Sequence, residues 1–147
     1  LSDLYLMYAE ALNEFSGPST EVYDALNQIR DRAGIPSVQE AWSNTAYAAT
    51  PNKHTSQDGL REIIQQERMI ELAFEGHRYY DIRRWKLAEK YFTTPIKGWS
   101  VDEDSEANYY QIMEIGQRSF NSPRDYLQPI SFTELSRNPN LIQNPGW

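Results

Sequence analysis

The first segment of the chain repeats apolar residues at steps of three and four, which is the spacing of one face of an α-helix. Between Asp3 and Phe15 these apolar positions are Leu4, Met7, Tyr8, Ala11, Leu12 and Phe15. The spacing predicts a helix that turns these side chains toward a core. A second helix is predicted after the break at residues 16–18, with Ser19 or Thr20 as its N-cap and Gly34 at its end. Residues 3–33 therefore form a predicted helical hairpin, close in length to one tetratricopeptide unit.

Residues 59–91 repeat the helical pattern in two parts. The first part has apolar positions on one side of a helical wheel, namely Leu60, Ile63, Ile64, Ile70, Ala73 and Phe74. Gly76 is a residue type that accepts a left-handed conformation, so it is predicted to end this helix. A second, more aromatic helix follows, with Tyr79, Ile82 and Trp85 on its apolar side. A second helical hairpin is the prediction for this stretch.

The remaining segments have no sustained period. Residues 37–58 are rich in Ser, Thr, Asn and Ala and are predicted to be a long loop with one helical turn at 38–42. Residues 92–147 are predicted to be an irregular region and an extended tail, with one short helix that starts at Ser131 or Thr133. We expect apolar tail side chains such as Ile130, Phe132 and Trp147 to pin this tail. The predicted fold is mainly α: tetratricopeptide-like helical hairpins with long irregular loops and an extended C-terminal tail.

Charged residues are dense in the second hairpin. Three carboxylates recur every fourth residue and are followed by a largely cationic segment; the set is Glu67, Glu71, Glu75, Arg78, Asp81, Arg83 and Arg84. We interpret it as a structural ion-pair network in which arginines fix the angle between the helices. The alternative is a catalytic or metal-binding carboxylate cluster with His77. Neither the Glu-x-x-His nor the His-Glu-x-x-His spacing occurs here, and no cofactor or metal is predicted.

Composition limits the classes of partner. The 147 residues carry a formal charge of −7, with a pI near 4.8, which argues against nucleic acid or an anionic membrane surface. There is no cysteine, so no thiolate metal site or cysteine nucleophile is available. No run of about 18 apolar residues is present. The chain opens at Leu1, close to a helical pattern, and we expect it to be the C-terminal piece of a longer protein.

Two separated motifs point to a family. The segment ERMIELAFEGHRYYDIRRW at 67–85 and the tail, from Leu-x-Pro-Ile at 127–130 to NPNLIQNPGW at 138–147, resemble the C-terminal part of SusD/RagB proteins. The first helix, YLMYAEALNE at 5–14, resembles a tetratricopeptide-like helix of that family. The resemblance spans essentially the whole chain.

The resemblance implies a role and a location. Proteins of this family are nutrient-binding lipoproteins on the external face of the outer membrane of Bacteroidetes-type bacteria. They bind glycans, or peptides in some members, and act as a lid over a SusC-type TonB-dependent transporter. They are not enzymes. The lipid anchor would lie at an N-terminus that is absent from this chain, and the missing N-terminal part would be a further partner.

The two family motifs read as scaffold, so ligand contacts are expected in the loops instead. Aromatic rings supply contact with the C–H face of a sugar, and the candidates in the two long loops are Trp42, Tyr47, Trp99, Tyr109 and Tyr110. Rings in loops also serve to close the edge of a core. Two other functions stay open: a structural interaction scaffold without a ligand site, and a glycoside hydrolase with two of the carboxylates Glu67, Glu71 and Glu75.

Overall fold

A computed structural model gives the fold of residues 1–46 and 48–147. The fold is mainly helical, as predicted, with one small sheet in the part of the chain that is described. The chain divides into two compact units, residues 1–78 and 79–147.

The first unit is built from helices. They are α1 (Ser2–Ser16), α2 (Thr20–Ala33), α3 (Val38–Ser43) and α4 (Gln57–Glu71), with a short 3-10 helix at Lys53–Thr55. Helix α2 has the predicted limits: the Ser19 hydroxyl accepts from the Val22 N–H at 3.4 Å, and Gly34 follows its end with a left-handed φ of 69°. Helix α1 packs against both α2 and α4.

The core of the first unit lies between these helices. Its buried members are Leu6, Ala9, Val22, Ala25, Leu26, Ile29, Val38, Leu60, Ile63, Ile64 and Leu72. Asn13 is also fully buried. Its Nδ2 donates to the Gln57 carbonyl oxygen at 3.0 Å, and Gln57 Nε2 donates to the Asn13 carbonyl oxygen at 2.7 Å. This exchange joins α1 to the first turn of α4.

The buried face of α1 differs from the predicted one. Leu6, Ala9 and Asn13 face the core, whereas Leu4 and Phe15 of the predicted stripe are 61% and 90% exposed. Met7, Tyr8 and Ala11 are exposed too, and only Leu12 of that stripe packs at the core edge. The prediction failed because α1 is apolar around most of its circumference and because a polar residue, Asn13, takes an inward position through its hydrogen bonds.

The break after α4 is longer than predicted. Helix α4 ends at Glu71, and turns occupy residues 72–76 before the next helix begins at His77. Gly76 has a left-handed φ of 81°, but it precedes that next helix and does not cap α4. Ile70, Ala73 and Phe74, predicted to be buried, are exposed. The apolar face of α4 therefore stops contributing to the core near its C-terminal end.

The second unit combines short helices with a β-hairpin. Its elements are α5 (His77–Arg84, which starts at the end of the first unit), α6 (Ala88–Phe92), β1 (Ile96–Trp99), α7 (Glu106–Tyr109), β2 (Ile112–Gly116) and α8 (Phe132–Arg137). Strands β1 and β2 are antiparallel, with Gly98 opposite Met113 and Trp99 opposite Ile112. A small core gathers Ile82, Ala88 and Phe120, and Phe92 and Tyr126 pack against it.

The tail is held mainly by polar side chains. Gln143 Oε1 accepts from the Ile130 N–H at 2.9 Å, and its Nε2 donates to the Ile130 carbonyl oxygen at 3.0 Å. Asn144 Nδ2 donates to the Gln128 carbonyl oxygen at 2.6 Å. Phe132, expected as an apolar anchor, is 84% exposed on α8. Amide side chains can satisfy the backbone of an irregular segment, which apolar side chains cannot.

Candidate functional site

Three of the five candidate aromatic residues form one cluster, which we call the aromatic cluster: Trp99, Tyr109 and Tyr110. The ring centroids of Trp99 and Tyr109 are 6.0 Å apart, and those of Trp99 and Tyr110 are 5.4 Å apart. The two tyrosine rings are 5.2 Å apart and nearly perpendicular, at 86°. These are the spacings of edge-to-face aromatic contact, so the rings support one another.

The β-hairpin brings these rings together. Trp99 is the last residue of β1, and Tyr109 ends α7, which lies in the loop between the two strands. The Ser100 N–H donates to the Tyr109 carbonyl oxygen at 3.2 Å, and the Tyr109 N–H donates to the Ser105 carbonyl oxygen at 2.8 Å. The loop thus folds back on the strand end, and residues ten positions apart in sequence become neighbours.

The aromatic cluster is open to solvent. Trp99 and Tyr110 are 52% and 57% exposed. Exposed carboxylates lie in the same loop, at Asp102, Glu103, Asp104 and Glu106. Open rings provide flat apolar contact, and the acidic loop disfavours an anionic ligand. The site therefore suits a neutral ligand with a flat C–H face.

Trp42 has a different environment. It lies on α3 in the first unit and packs against that unit's hydrophobic core. The Lys53 Nζ atom lies 5.5 Å from the centroid of its ring. Trp42 thus closes the edge of a core, which is the structural role considered for it from the sequence. Tyr47, the fifth candidate, lies outside the described residues.

The carboxylate row of α4 finds partners on α2. Glu67 is paired with Arg30, and Glu71 is paired with Arg32. The Arg30 side chain is 10% exposed and its Nε donates to the Pro36 carbonyl oxygen at 2.6 Å. Sequence reasoning placed the partners of this row in the following segment and missed both α2 arginines. Arg30 is adjacent to Ile29 on the inward side of α2, and that position was the available signal.

The cationic segment makes contacts within the second unit. Arg84 Nε donates to the Asp81 carboxylate at 2.8 Å, one helical turn earlier. The Arg83 guanidinium lies over the Tyr79 ring at 3.7 Å and donates from Nη2 to the Asp125 carbonyl oxygen at 3.4 Å. Arg78 is half-buried and Glu75 is exposed. A single network that includes all seven charged residues stays a prediction.

A further buried ion pair was also missed from the sequence. Arg68, only 4% exposed, donates from Nη1 to the Asp3 carboxylate at 2.8 Å and joins α4 to the start of α1. Arg68 lies one helical turn after Ile64, on the inward face of α4. Arginines at such positions can carry a charge into a core when a carboxylate on the facing helix meets them.

Burial shifts the pKa of two side chains in the first unit. His54 is 6% exposed, and burial lowers its pKa below the ordinary histidine value. The Tyr23 hydroxyl donates to the His54 carbonyl oxygen at 3.0 Å, and burial raises the pKa of that tyrosine. Both shifts come from desolvation, which favours the neutral form of each side chain.

Residues 1–46 and 48–147 contain neither a metal-ligand cluster nor a helix able to span a membrane. No group of three or more histidine, aspartate or glutamate side chains there is arranged to hold a metal ion. No helix in the same residues has the length and apolar character that crossing a bilayer requires.

The chain combines a mainly helical scaffold with an exposed aromatic cluster. Comparison with known proteins gives the family. The model of the SusD family matches residues 1–147, and the chain belongs to that family.

Relatives of known sequence and structure agree with this assignment. SusD-like protein P2 of Formosa agariphila is 37% identical over 147 residues, covering 99% of this chain and 25% of that protein. A SusD-like protein of Bacteroides fragilis superposes with a TM-score of 0.77 at 31% identity, over 99% of this chain and 25% of that one. A SusD-like carbohydrate binding protein of the same species gives a TM-score of 0.71 at 33% identity, over 96% and 27%. This chain spans about a quarter of the length of the curated relatives it matches.

Proposed function

We propose that the protein to which this chain belongs is a non-catalytic glycan-binding protein of the outer membrane, and that the aromatic cluster is one of its glycan contacts. The observation that carries the proposal is the cluster itself: Trp99, Tyr109 and Tyr110 are in mutual contact and two of them are more than half exposed. Family membership supports a glycan as the ligand, since one solved relative is described as carbohydrate binding.

The finer role follows the family resemblance. The full-length protein would sit on the external face of the outer membrane, anchored by a lipid at an N-terminus outside this chain. It would deliver its oligosaccharide to a SusC-type TonB-dependent transporter. The helical scaffold of the first unit, with its exposed apolar stripe on α1, supports a role in holding such an assembly together.

Binding without catalysis is also supported by the carboxylate row. A hydrolase needs one carboxylate that gives up a proton and one that attacks or activates water, both at an open cleft. Glu67 and Glu71 are instead paired with Arg30 and Arg32, and their side chains are only 15% and 17% exposed. Carboxylates that are paired with arginines and largely buried are not presented to a substrate at an open cleft.

The proposal is tested with the full-length protein. A glycan array of neutral oligosaccharides identifies a ligand, and calorimetry then compares the wild type with Trp99→Ala and Phe132→Ala. Phe132 is the control because it is an 84% exposed aromatic residue of the same unit. We expect Trp99→Ala to weaken binding about tenfold or more and Phe132→Ala to leave it unchanged. Equal glycan affinities of the two variants would show that the aromatic cluster is not part of the glycan site.

The alternative is a scaffold that binds no ligand through this chain. The exposed apolar side chains of α1, among them Leu4, Met7 and Phe15, favour it because such stripes are typical of protein contacts. Full-length protein that retains glycan binding in Trp99→Ala, Tyr109→Ala and Tyr110→Ala would support this alternative. The glycan site would then lie in the rest of the protein.

A further inference from the structure

The second unit contains a cavity of about 530 Å³ that does not include the aromatic cluster. Its walls come from α5, α6, the segment 119–129 and the chain end. Four aromatic rings and two guanidinium groups line it: Tyr79, Phe92, Phe120, Trp147, Arg83 and Arg124. The volume lies in the range of small-molecule sites, and apolar walls with a few converging polar groups are their usual composition.

Arg124 is one of the charged residues that line this cavity. Its Nε donates to the Asp125 carboxylate at 2.7 Å, and its guanidinium carbon lies 4.7 Å from the centroid of the Trp147 ring. The side chain is 37% exposed. Its two terminal nitrogens have no hydrogen-bond partner within residues 1–46 and 48–147. The guanidinium is thus fixed on one side while its terminal donors stay available to a ligand.

Trp147 forms a fixed wall beside that guanidinium. Its Nε1 donates to the carbonyl oxygens of Arg124 and Leu127 at 3.2 and 3.3 Å. Gly146 brings the chain end close: a Cβ there would lie 3.0 Å from Arg124 Cγ, and its φ is 88°. The indole is 47% exposed, so one part of it is pinned and another is open. A flat apolar surface next to a cation suits a ring that carries an anionic group.

The local charge of the cavity is positive. The Arg83 guanidinium stacks on Tyr79, and its Nη1 is buried without a hydrogen-bond partner among the described residues. Asp125 is the acidic residue of the lining, and its hydrogen bond from Arg124 holds the pKa of its carboxyl below the ordinary value. Two guanidinium groups and one carboxylate therefore line the cavity. In a chain with a net charge of −7 this is a local cationic site.

We propose that this cavity binds the carboxylate of a uronic acid unit in a glycan, with Arg124 contacting the carboxylate and Trp147 packing on the sugar ring. A planar carboxylate matches the two-pronged edge of a guanidinium, which a lysine cannot reproduce. Arg83 adds positive potential from the cavity wall. The choice of a glycan rests on the proposed function, whereas the choice of an acidic one rests on Arg83 and Arg124.

The experiment uses the full-length protein and a matched pair of ligands. Calorimetry compares trigalacturonic acid with the same trisaccharide after reduction of its carboxyl groups to neutral alcohols. We expect the acidic form to bind at least about tenfold more tightly, because charge-assisted hydrogen bonds are among the strong ones. Raising the salt concentration should weaken the binding of the acidic trisaccharide and leave that of the reduced one unchanged.

Variants locate the binding. Arg124→Gln should abolish the preference for the acidic trisaccharide, and Arg124→Lys should keep part of it, since the charge stays and the fork is lost. Arg137→Gln is the matched control: Arg137 is a 72% exposed arginine of the same unit, paired with Glu134. Circular dichroism establishes whether each variant is folded. If Arg124→Gln does not fold, Arg124→Lys still tests the role of the guanidinium.

Three results would overturn the proposal. One is equal affinity for the acidic and the reduced trisaccharide. Another is a preference that Arg124→Gln leaves intact. The third is binding of a peptide with a free C-terminal carboxylate in place of the trisaccharide. Failure of the proposed function is a separate result, since Trp99→Ala tests neutral glycans and leaves the preference assigned to Arg124 unchanged.

Discussion

Asn13 and Gln57 exchange hydrogen bonds across 44 residues of sequence, each side-chain amide donating to the other residue's carbonyl oxygen, at 3.0 and 2.7 Å. The first bond satisfies the amide nitrogen of an asparagine that is fully buried in the core. The second brings the N-terminal turn of α4 against α1. Two helices that are distant in sequence thus share a polar contact, in addition to the ion pair between Arg68 and Asp3.

Asn13→Ala should therefore lower the free energy of unfolding by about 1 to 3 kcal/mol, because it breaks one bond of the pair and leaves a void beside the α4 turn. Chemical denaturation of the full-length protein, followed by circular dichroism, measures the loss. Gln66→Ala, at an exposed amide of α4, is the control and should change stability by less than about 0.5 kcal/mol. A loss at Asn13 no larger than that of the control would show that the exchange contributes nothing.

Neighbouring carboxylates of α4 should differ in their contribution to stability. Glu67→Ala leaves Arg30, whose side chain is 10% exposed, without its carboxylate, and should cost about 3 kcal/mol. Glu71→Ala leaves Arg32, which is 62% exposed and hydrated, and should cost less than about 1 kcal/mol. The same denaturation measurement compares the two. Equal losses would mean that burial of the arginine does not decide the cost.

His54 should make the first unit less stable in mild acid. Its folded pKa is lowered by burial, so the unfolded chain binds the proton at a higher pH than the folded chain does. The free energy of unfolding is unaffected by His54 above the unfolded pKa of about 6.5. It decreases as the pH falls from there toward the folded pKa, by up to about 1.4 kcal/mol per pH unit. Denaturation at several pH values between 7 and 5 measures this slope. His54→Gln should flatten it, and an unchanged slope would assign the titration to other groups.

Substitutions at Trp42 and Trp99 should have different effects, one on stability and the other on glycan affinity. Trp42→Ala removes a ring packed on the core and should cost about 2 kcal/mol of unfolding free energy without changing glycan affinity. Trp99→Ala removes a half-exposed ring and should have the opposite pair of effects. Thermal unfolding and calorimetry on the same samples measure both. Loss of glycan affinity in Trp42→Ala, with the protein folded, would return Trp42 to the list of ligand contacts.

The sequence predicted the helices better than their buried faces. Residues such as Ser19 and Gly34 act through local backbone chemistry, so the limits of α2 could be predicted. The inward face of α1 could not, since apolar residues surround the helix and the hydrogen bonds of Asn13 depend on a segment 44 residues away. The same reason explains why the pairing of Glu67 with Arg30 was missed.

The candidate site was predictable by residue type but not by arrangement. Aromatic residues in long loops gave Trp99, Tyr109 and Tyr110 together with Trp42, and nothing local distinguishes the first three from the fourth. Their separation depends on tertiary structure: α7 folds back on the end of β1, whereas α3 packs on a core. Arg124 and Trp147 were missed as a pair because the chain end meets residue 124 only in the folded tail.

The exposed stripe of α1 has a practical consequence for work with residues 1–147 by themselves. This helix has a continuous apolar surface exposed to water, formed by Leu4, Met7, Tyr8 and Phe15. Such a surface binds apolar fluorescent dyes and detergents and favours self-association. Residues 1–147 alone should therefore aggregate at millimolar concentration. Spectroscopy that needs concentrated samples will therefore require either the longer protein or charged substitutions at Leu4 and Phe15.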